Sequence, residues 1–393
     1  MIRRIATHLQ RLAHRVWRVS RRAVLALMAP VLALVFSIAM SSVFLLLADA
    51  SPLEAYSQMW SYGTRSDSLV SMVNRAVPLY MSALAVAVGM KMGLLNIGVE
   101  GQYRIAAVAA AAVGSWIVLP APLHVAVIII TAAVAGMAWI TIPTVLKVTR
   151  GVHEVISTIM MNFISIGLTA WLLANWLDSR ESSSDLLLAT DYIPESGRFP
   201  NLNWLIELFG VELRAGTNLH GFVVVAALIG VGFYIVIWRT RFGFDLRAAG
   251  INRQAALVSG VDSKAMVAKV LLISGALAGL VGISQMLGSF YRYTVDFPAQ
   301  LGFTGIAVAL LGRNHPAGIA IGALLFGFME RSAQILDLEG IPKEIVTIMQ
   351  GIIVISVVVA YELVRRWREA QAQREVSREM PEATQSTTEG LPS

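Results

Sequence analysis

The stretch Gly93-Leu94-Leu95-Asn96-Ile97-Gly98-Val99-Glu100-Gly101-Gln102 separates two long apolar runs. It places three glycines, an asparagine, a glutamate and a glutamine within ten residues, too few to build a domain outside a membrane. Polar, glycine-loosened backbone at membrane depth is tolerated only where protein or a water-filled path surrounds it. An ionisable group in that setting is a functional-site candidate by default. The segment therefore reads as part of a transporter subunit rather than of a membrane anchor.

The composition around it agrees. Of 393 residues, 56% are hydrophobic and 14% charged, against about 25% charged in soluble domains. Net charge is +6 and sits in loops and termini, with no basic stripe interleaved with aromatics as a nucleic-acid site requires. There is no cysteine, which excludes disulfides and thiolate metal sites, and the six histidines show no ligand spacing. Ala48-Asp49-Ala50 imitates a signal-peptidase site. The apolar run before it, 23–48, is much longer than the roughly 7–15 residues of a signal-peptide core, so a first membrane helix is the better reading.

A ruler of about 20 apolar residues per crossing gives ten segments: 23–48, 69–92, 95–118, 123–147, 154–177, 218–238, 266–288, 302–312, 316–336 and 344–364. The eighth is too short to span by itself. With the N-terminus inside, the inner loops hold Lys147 and Arg150, then Arg239, Arg241, Arg247, Arg253 and Lys264, then Arg313, then Arg365, Arg366 and Arg368. The longest outer loop, 178–217, carries Asp178, Glu181, Asp185, Asp191, Glu195, Glu207 and Glu212 against three arginines. Basic loops mark the cytoplasmic side, so the expected protein is an all-α polytopic membrane protein of about ten segments with both termini inside.

The domain layout follows. Residues 1–22 form an Arg-rich cytoplasmic N-terminus and 23–365 the transmembrane domain, with an extracytoplasmic loop at 178–217 and a cytoplasmic loop at 239–264. Residues 366–393 form a tail expected to begin as a short helix and continue as disorder, because it cannot bury a core. The chain has no Gly-x-x-x-x-Gly-Lys-Ser/Thr loop and so no ATP site of that kind. Pro78–Gly114 and Ser274–Gly327 share an order of apolar helix, glycine-rich break and Ala-rich helix. An inverted repeat of the kind found in transporters and chance similarity between Ala/Gly-rich helices both account for it.

Several polar residues invite chemistry. In the inner loop, Asp245 is positioned to start a short helix that Gly250 ends; Asn252 to cap a second that Gly260 ends; and Asp262 to cap the next membrane helix. Two such helices suit docking of a partner protein, or equally an interfacial turn held by anionic lipid. Arg75, Lys91, Glu100, Arg104, Glu154 and Glu330 lie in or at the ends of spans. Lys91 and Arg104 can snorkel, Glu330 and Arg331 can pair locally, and Glu100 can pair with Arg104 one turn away or contact substrate. Asn162 is a mid-helix amide suited to interhelical bonding or to reading a polar solute. No chain of Asp, Glu and His runs along the spans, which weighs against proton coupling.

Three motifs carry a resemblance over 70–365: Gly93–Gln102, then Val152-His-Glu-Val-Ile-Ser-Thr-Ile-Met-Met-Asn162, then Thr240-Arg-Phe-Gly-Phe-Asp-Leu-Arg-Ala-Ala-Gly250. They resemble permease subunits of ATP-binding-cassette importers, in the branch shared by ribose-type, branched-chain amino acid and nucleoside systems. The first two are most similar to the larger permease of importers working with Bmp/Med-type lipoprotein receptors, whose solutes are mainly nucleosides. Gly-Leu-Leu-Asn stands where that family has Gly-Leu-Phe-Asn, a conservative change, and the Arg-rich N-terminus lies outside the resemblance.

The resemblance implies a type II-like importer permease fold in a bacterial cytoplasmic (inner) membrane. It further implies a second homologous permease, a cytosolic ABC ATPase and an extracytoplasmic solute-binding lipoprotein. No cofactor is expected in this chain; ATP and Mg would sit on the ATPase subunits. Asn96, Glu100, Gln102, Asn162 and Phe303 are the candidate substrate-path residues. Phe244, Asp245, Arg247, Gly250, Asn252 and Gly260 are the candidate ATPase-coupling residues. The expected function is nucleoside import by alternating access without chemistry on the solute. The alternatives are the same machine importing simple sugars or branched-chain amino acids, and an ATP-independent secondary carrier. No nucleophile, metal or paired-acid constellation supports an enzyme.

Overall fold

The computed structural model describes residues 31–179, 188–208, 210, 213–214 and 216–388. The Arg-rich N-terminus, the start of the first segment, and Glu181, Asp185 and Glu212 lie outside the described residues. The chain divides into two compact units, Met1–Pro52 with Glu344–Ser393, and Leu53–Lys343.

In the first unit the described helices are α1 (Val31–Leu47) and α15 (Glu344–Thr388). α15 continues well past Trp367, where the sequence predicts a short helix giving way to disorder. Ion pairs one turn apart, Arg365 with Glu362 and Glu369 and Arg366 with Glu362, support the helix as it leaves its apolar part.

The second unit begins with α2 (Pro52–Gly63), a short helix that hydropathy did not predict because its apolar positions alternate with polar ones. It continues with α3 (Ser66–Met90), α4 (Val99–Trp116), α5 (Ala121–Arg150) and α6 (Glu154–Leu172), the last ending in a π turn at Leu173–Leu177. α7 (Asn203–Glu207) lies in the long loop before α8 (Phe222–Arg239). Two short helices follow, α9 (Arg241–Ile251) and α10 (Arg253–Val258), and then α11 (Ser263–Gly279). The chain goes on through α12 (Ile283–Gln285) and a π turn at Met286–Phe290 to α13 (Leu301–Leu311) and α14 (Pro316–Leu338). Among the described residues there is no strand, only the isolated bridges Ala189–Thr294 and Asn201–His220 that pin the long loop.

Among the described residues seven helices are long and apolar enough to cross a membrane, or eight if α1 and α2 form one broken span. The shortfall from ten lies in α4 and α13. α4 carries Glu100, Gln102 and Arg104 in its first turns, and α13 has 11 residues, about 16 Å of helix against a hydrocarbon core of about 30 Å.

α3 is the central element. From Ala76 to Gly89 every residue but Tyr80 is buried, as expected of a helix enclosed on all sides. α11, α13, α14 and α8 all pack on it. α14 runs antiparallel to α3 and is tied to it by Arg331 with Asp67 (3.2 Å) and Glu330 with Arg75 (4.0 Å). These cross-helix pairs replace the local Glu330–Arg331 pair read from sequence, because consecutive helical residues do not face each other. α5 and α11 meet along Gly136, Gly275 and Gly279, where a Cβ on Gly136 would lie 2.8 Å from the Cα of Gly279. Such small-residue seams let backbones approach where dispersion, not water exclusion, drives association.

Candidate functional site at the two helix breaks

Two interruptions of the bundle meet. The chain leaves α3 at Lys91, returns in extended form along it, and starts α4 at Val99. A second extended segment after Tyr291 leads into α13 at Leu301. Gly302 abuts Glu100 and Gly305 abuts Ser82, with a Gly302 Cβ falling 2.8 Å from the Glu100 Cα. Lys91 at the end of α3 lies within electrostatic reach of Arg313, just past α13, so α3 and α13 run the same way. Counting along α3, Glu100 sits about 20 Å from its first residue and about 17 Å from its last. The junction is therefore near mid-depth. α4 instead follows α11, with Asn96 bonded to Ser274 and Ala107 beside Gly282. The two helices thus point apart, N-terminus toward N-terminus.

Helix N-termini present unpaired N–H groups and a positive dipole end, and here both are filled by side chains from elsewhere. The Glu100 carboxylate accepts from the N–H of Gln300 (2.9 Å) and of Gly302 (3.0 Å), at the start of α13. The same group accepts from the Tyr103 hydroxyl (2.8 Å) and from Arg104 Nε (3.1 Å). Gln300, in the left-handed region at φ 66, provides no cap of its own. In parallel, Asn162 on α6 accepts from the Gly101 N–H in the first turn of α4 (2.8 Å) and donates to the Ile97 carbonyl (3.0 Å). Asn96 and Gln102 exchange two amide hydrogen bonds, each 3.0 Å. Asn96 also donates to Ser274, which donates to the Ala85 carbonyl of α3.

Four of the five path residues predicted from sequence are therefore brought together. Asn96, Glu100, Gln102 and Asn162 are all buried, with their polar atoms engaged within the protein. Phe303 is the exception, at 46% exposure. Glu100 pairs with Arg104 as the four-residue spacing indicates. Sequence reasoning missed Ser274, Tyr103 and the backbone of 300–302. Ser274 alone left a signal, as a hydroxyl inside an apolar helix.

The predicted coupling residues lie together on α9, α10 and the turn after them. Thr240, not Asp245, caps α9 by accepting from the Gly243 N–H. Gly250 does not end the helix. It lies within it, where a Cβ would strike the Lys91 carbonyl and come 3.0 Å from the Met92 Cα, and α9 ends at the extended Asn252. Asn252 caps α10 through the Gln254 and Ala255 N–H groups, Gly260 closes it at φ 87, and Asp262 caps α11, all as the sequence predicts. Arg247 turns back to the Ile237 carbonyl at 2.8 Å. Burial, with Arg247 and Arg313 nearby, holds the Lys91 ammonium below its ordinary range. Asp245 is half-buried, whereas Phe244, Ile251, Leu257 and Val258 form an exposed apolar face on α9 and α10.

Comparison with known proteins shows one family. The model described as "Branched-chain amino acid transport system / permease component" matches residues 68–358. The guanosine ABC transporter permease protein NupP of Bacillus subtilis is 35% identical over 86% of this chain and 94% of its own length. The glucose ABC transporter permease protein TsgB13 of Haloferax volcanii is 31% identical over 88% and 90%. A second guanosine permease protein of B. subtilis, NupQ, is 23% identical over 69% and 82%.

Proposed function

The chain belongs to the branched-chain amino acid transport system / permease component family and is a multi-pass ABC transporter permease; from that premise we propose that it imports nucleosides. The observation that carries the cargo is the likeness to a guanosine permease along nearly all of that protein's length. The junction agrees with it. A carboxylate cargo would want a free helix N-terminus or arginine in its path, and here Glu100 and Asn162 fill both helix ends while Arg104 is bound to Glu100. An uncharged solute with hydroxyls and a flat ring fits better, and Phe303 offers it an aromatic face. A simple sugar is the second reading, favoured by the glucose permease among the relatives.

In this reading the chain sits in a bacterial cytoplasmic membrane with both termini inside. It has ten segments if α4 and α13 are counted as corresponding members of an inverted repeat, whose paired caps at Gly101 and Gly302 support that relation. A second permease completes the pathway, as the matches to both NupP and NupQ suggest, and an extracytoplasmic lipoprotein delivers the solute. ATP and Mg are held by separate ATPase subunits docked on the exposed apolar face of α9 and α10. Gly250 against the Lys91 carbonyl passes their motion into α3, and the pathway opens alternately to each side.

The test is uptake of labelled guanosine, glucose and leucine by cells with and without this gene. Loss of guanosine uptake alone is expected. Loss of glucose uptake with guanosine intact would overturn the cargo but keep the machine. Uptake without ATP by the purified chain in proteoliposomes would overturn the machine itself.

A further inference from the structure

A groove of about 450 Å³ runs between α3, α8 and α14, from Val73 and Val223 to Tyr234 and His315. Its walls are alkyl, chiefly alanine and valine, and its polar groups are Tyr80, Tyr234 and His315. Along α8 it extends from Val223 to Tyr234, about 16 Å, a length that one extended acyl chain fills. Such walls do not suit a sugar or a nucleoside. They suit a hydrocarbon chain.

Its far end has a different chemistry. Tyr234 stacks on Trp238 at 5.5 Å, and His315 closes the cluster at 5.1 Å from Trp238. The Lys91 ammonium lies 4.9 Å from the Trp238 ring centre and the Arg239 guanidinium 6.0 Å from that of Tyr234. Among the described residues neither cation has a carboxylate partner. Aromatic rings with cations at the end of an apolar slot are what a headgroup at the membrane surface requires, and basic pockets between membrane helices select anionic lipids.

We propose that one phospholipid with an anionic headgroup occupies this site, an acyl chain in the groove and its phosphate on Lys91 and Arg239. The lipid belongs to the leaflet on the α9 side. It would brace α9 as well, because the carbonyl of Lys91 is the surface against which Gly250 rests.

The experiment titrates the full chain, in detergent, with phosphatidylglycerol or with phosphatidylcholine of the same acyl chains, read by native mass spectrometry. One equivalent of phosphatidylglycerol is expected to bind more tightly than phosphatidylcholine. Each basic residue at a membrane surface is worth about fivefold in affinity. Lys91→Gln/Arg239→Gln should therefore weaken phosphatidylglycerol by about 30-fold and phosphatidylcholine, whose choline offsets the charge of its phosphate, much less. Ala227→Trp or Val231→Phe, which fill the groove, should abolish retention of both lipids. Equal affinity for the two lipids, or unchanged retention in the filled variants, overturns the proposal. Because the chain has no native cysteine, Ala227→Cys gives a clean second readout. Cross-linking of that thiol to a neighbouring permease would assign the groove to a protein helix instead.

Discussion

Replacing Glu100 by Gln keeps the shape of the side chain and removes its charge. Glu100 Oε1 serves Tyr103, Arg104 and Gln300, and Oε2 serves the Gly302 N–H. The variant's amide oxygen is best kept at the crowded position, which turns its NH₂ group toward the Gly302 N–H. One buried donor at the start of α13 is then unsatisfied, costing about 2 kcal/mol. Arg104, whose side chain is 13% exposed, loses its counter-charge. Breaking a buried pair costs about 3–5 kcal/mol, and contact with solvent reduces this to about 2 kcal/mol. The sum, about 4 kcal/mol, corresponds to a fall of about 5 °C in apparent melting temperature for a chain of this length, measurable on the purified chain in detergent. Adding Arg104→Gln removes the stranded cation and should restore roughly half of the loss, so the two changes are non-additive. Should Glu100→Gln melt with the wild type yet stop uptake, the carboxylate acts on cargo and the architectural argument is wrong.

Three further outcomes are expected. Gly136→Leu forces α5 off α11 and should cut the yield of folded protein severely, whereas Gly167→Leu, which meets open space, should express normally; equal yields would refute the seam. Gly250→Trp should abolish uptake in a protein that still inserts, but its clash with the Lys91 carbonyl makes Phe244→Ala the cleaner probe. Phe244 is 65% exposed, so that variant should keep its melting temperature and lose most ATP-driven uptake, and full uptake would remove α9 from the docking face. His220 is half-buried against Gly288 and Ser289, and that burial lowers its pKa below the ordinary value. The stabilisation is present above the unfolded pKa of about 6.5 and is lost as pH falls through that value toward the lower folded one. Melting temperature should decline over that window in the wild type, and a decline of the same size in His220→Gln would show that another group is responsible.

Hydropathy made the long crossings legible, since α3, α5, α6, α8, α11 and α14 need continuous apolar runs and have them. It set α13 apart as too short to span alone but did not distinguish α4, because apolar length says nothing about where in the bundle a helix begins. Glu100–Arg104 was legible from a spacing of one turn, as were the caps Asn252 and Asp262, whose side chains bond backbone two or three residues ahead. The other bonds of Glu100 were not, because Gln300 and Gly302 contribute only backbone N–H groups that every non-proline residue carries. Gly250 misled for a related reason. Glycine marks both helix ends and close approaches, and only the position of the Lys91 carbonyl distinguishes them.

The bond between Glu100 and Gln300 joins residues 200 positions apart, and that distance is also a delay. At about 5–20 residues per second, the ribosome finishes α13 roughly 10–40 s after α4. For that interval a carboxylate destined for mid-membrane exists without the two N–H groups that will hold it. Arg104 and Tyr103, on the same helix, are available as soon as α4 forms. The bonds from Gln300 and Gly302 can close only once α13 is made, so the joint between the early and late parts of the chain is the last of the contacts of Glu100 to be available.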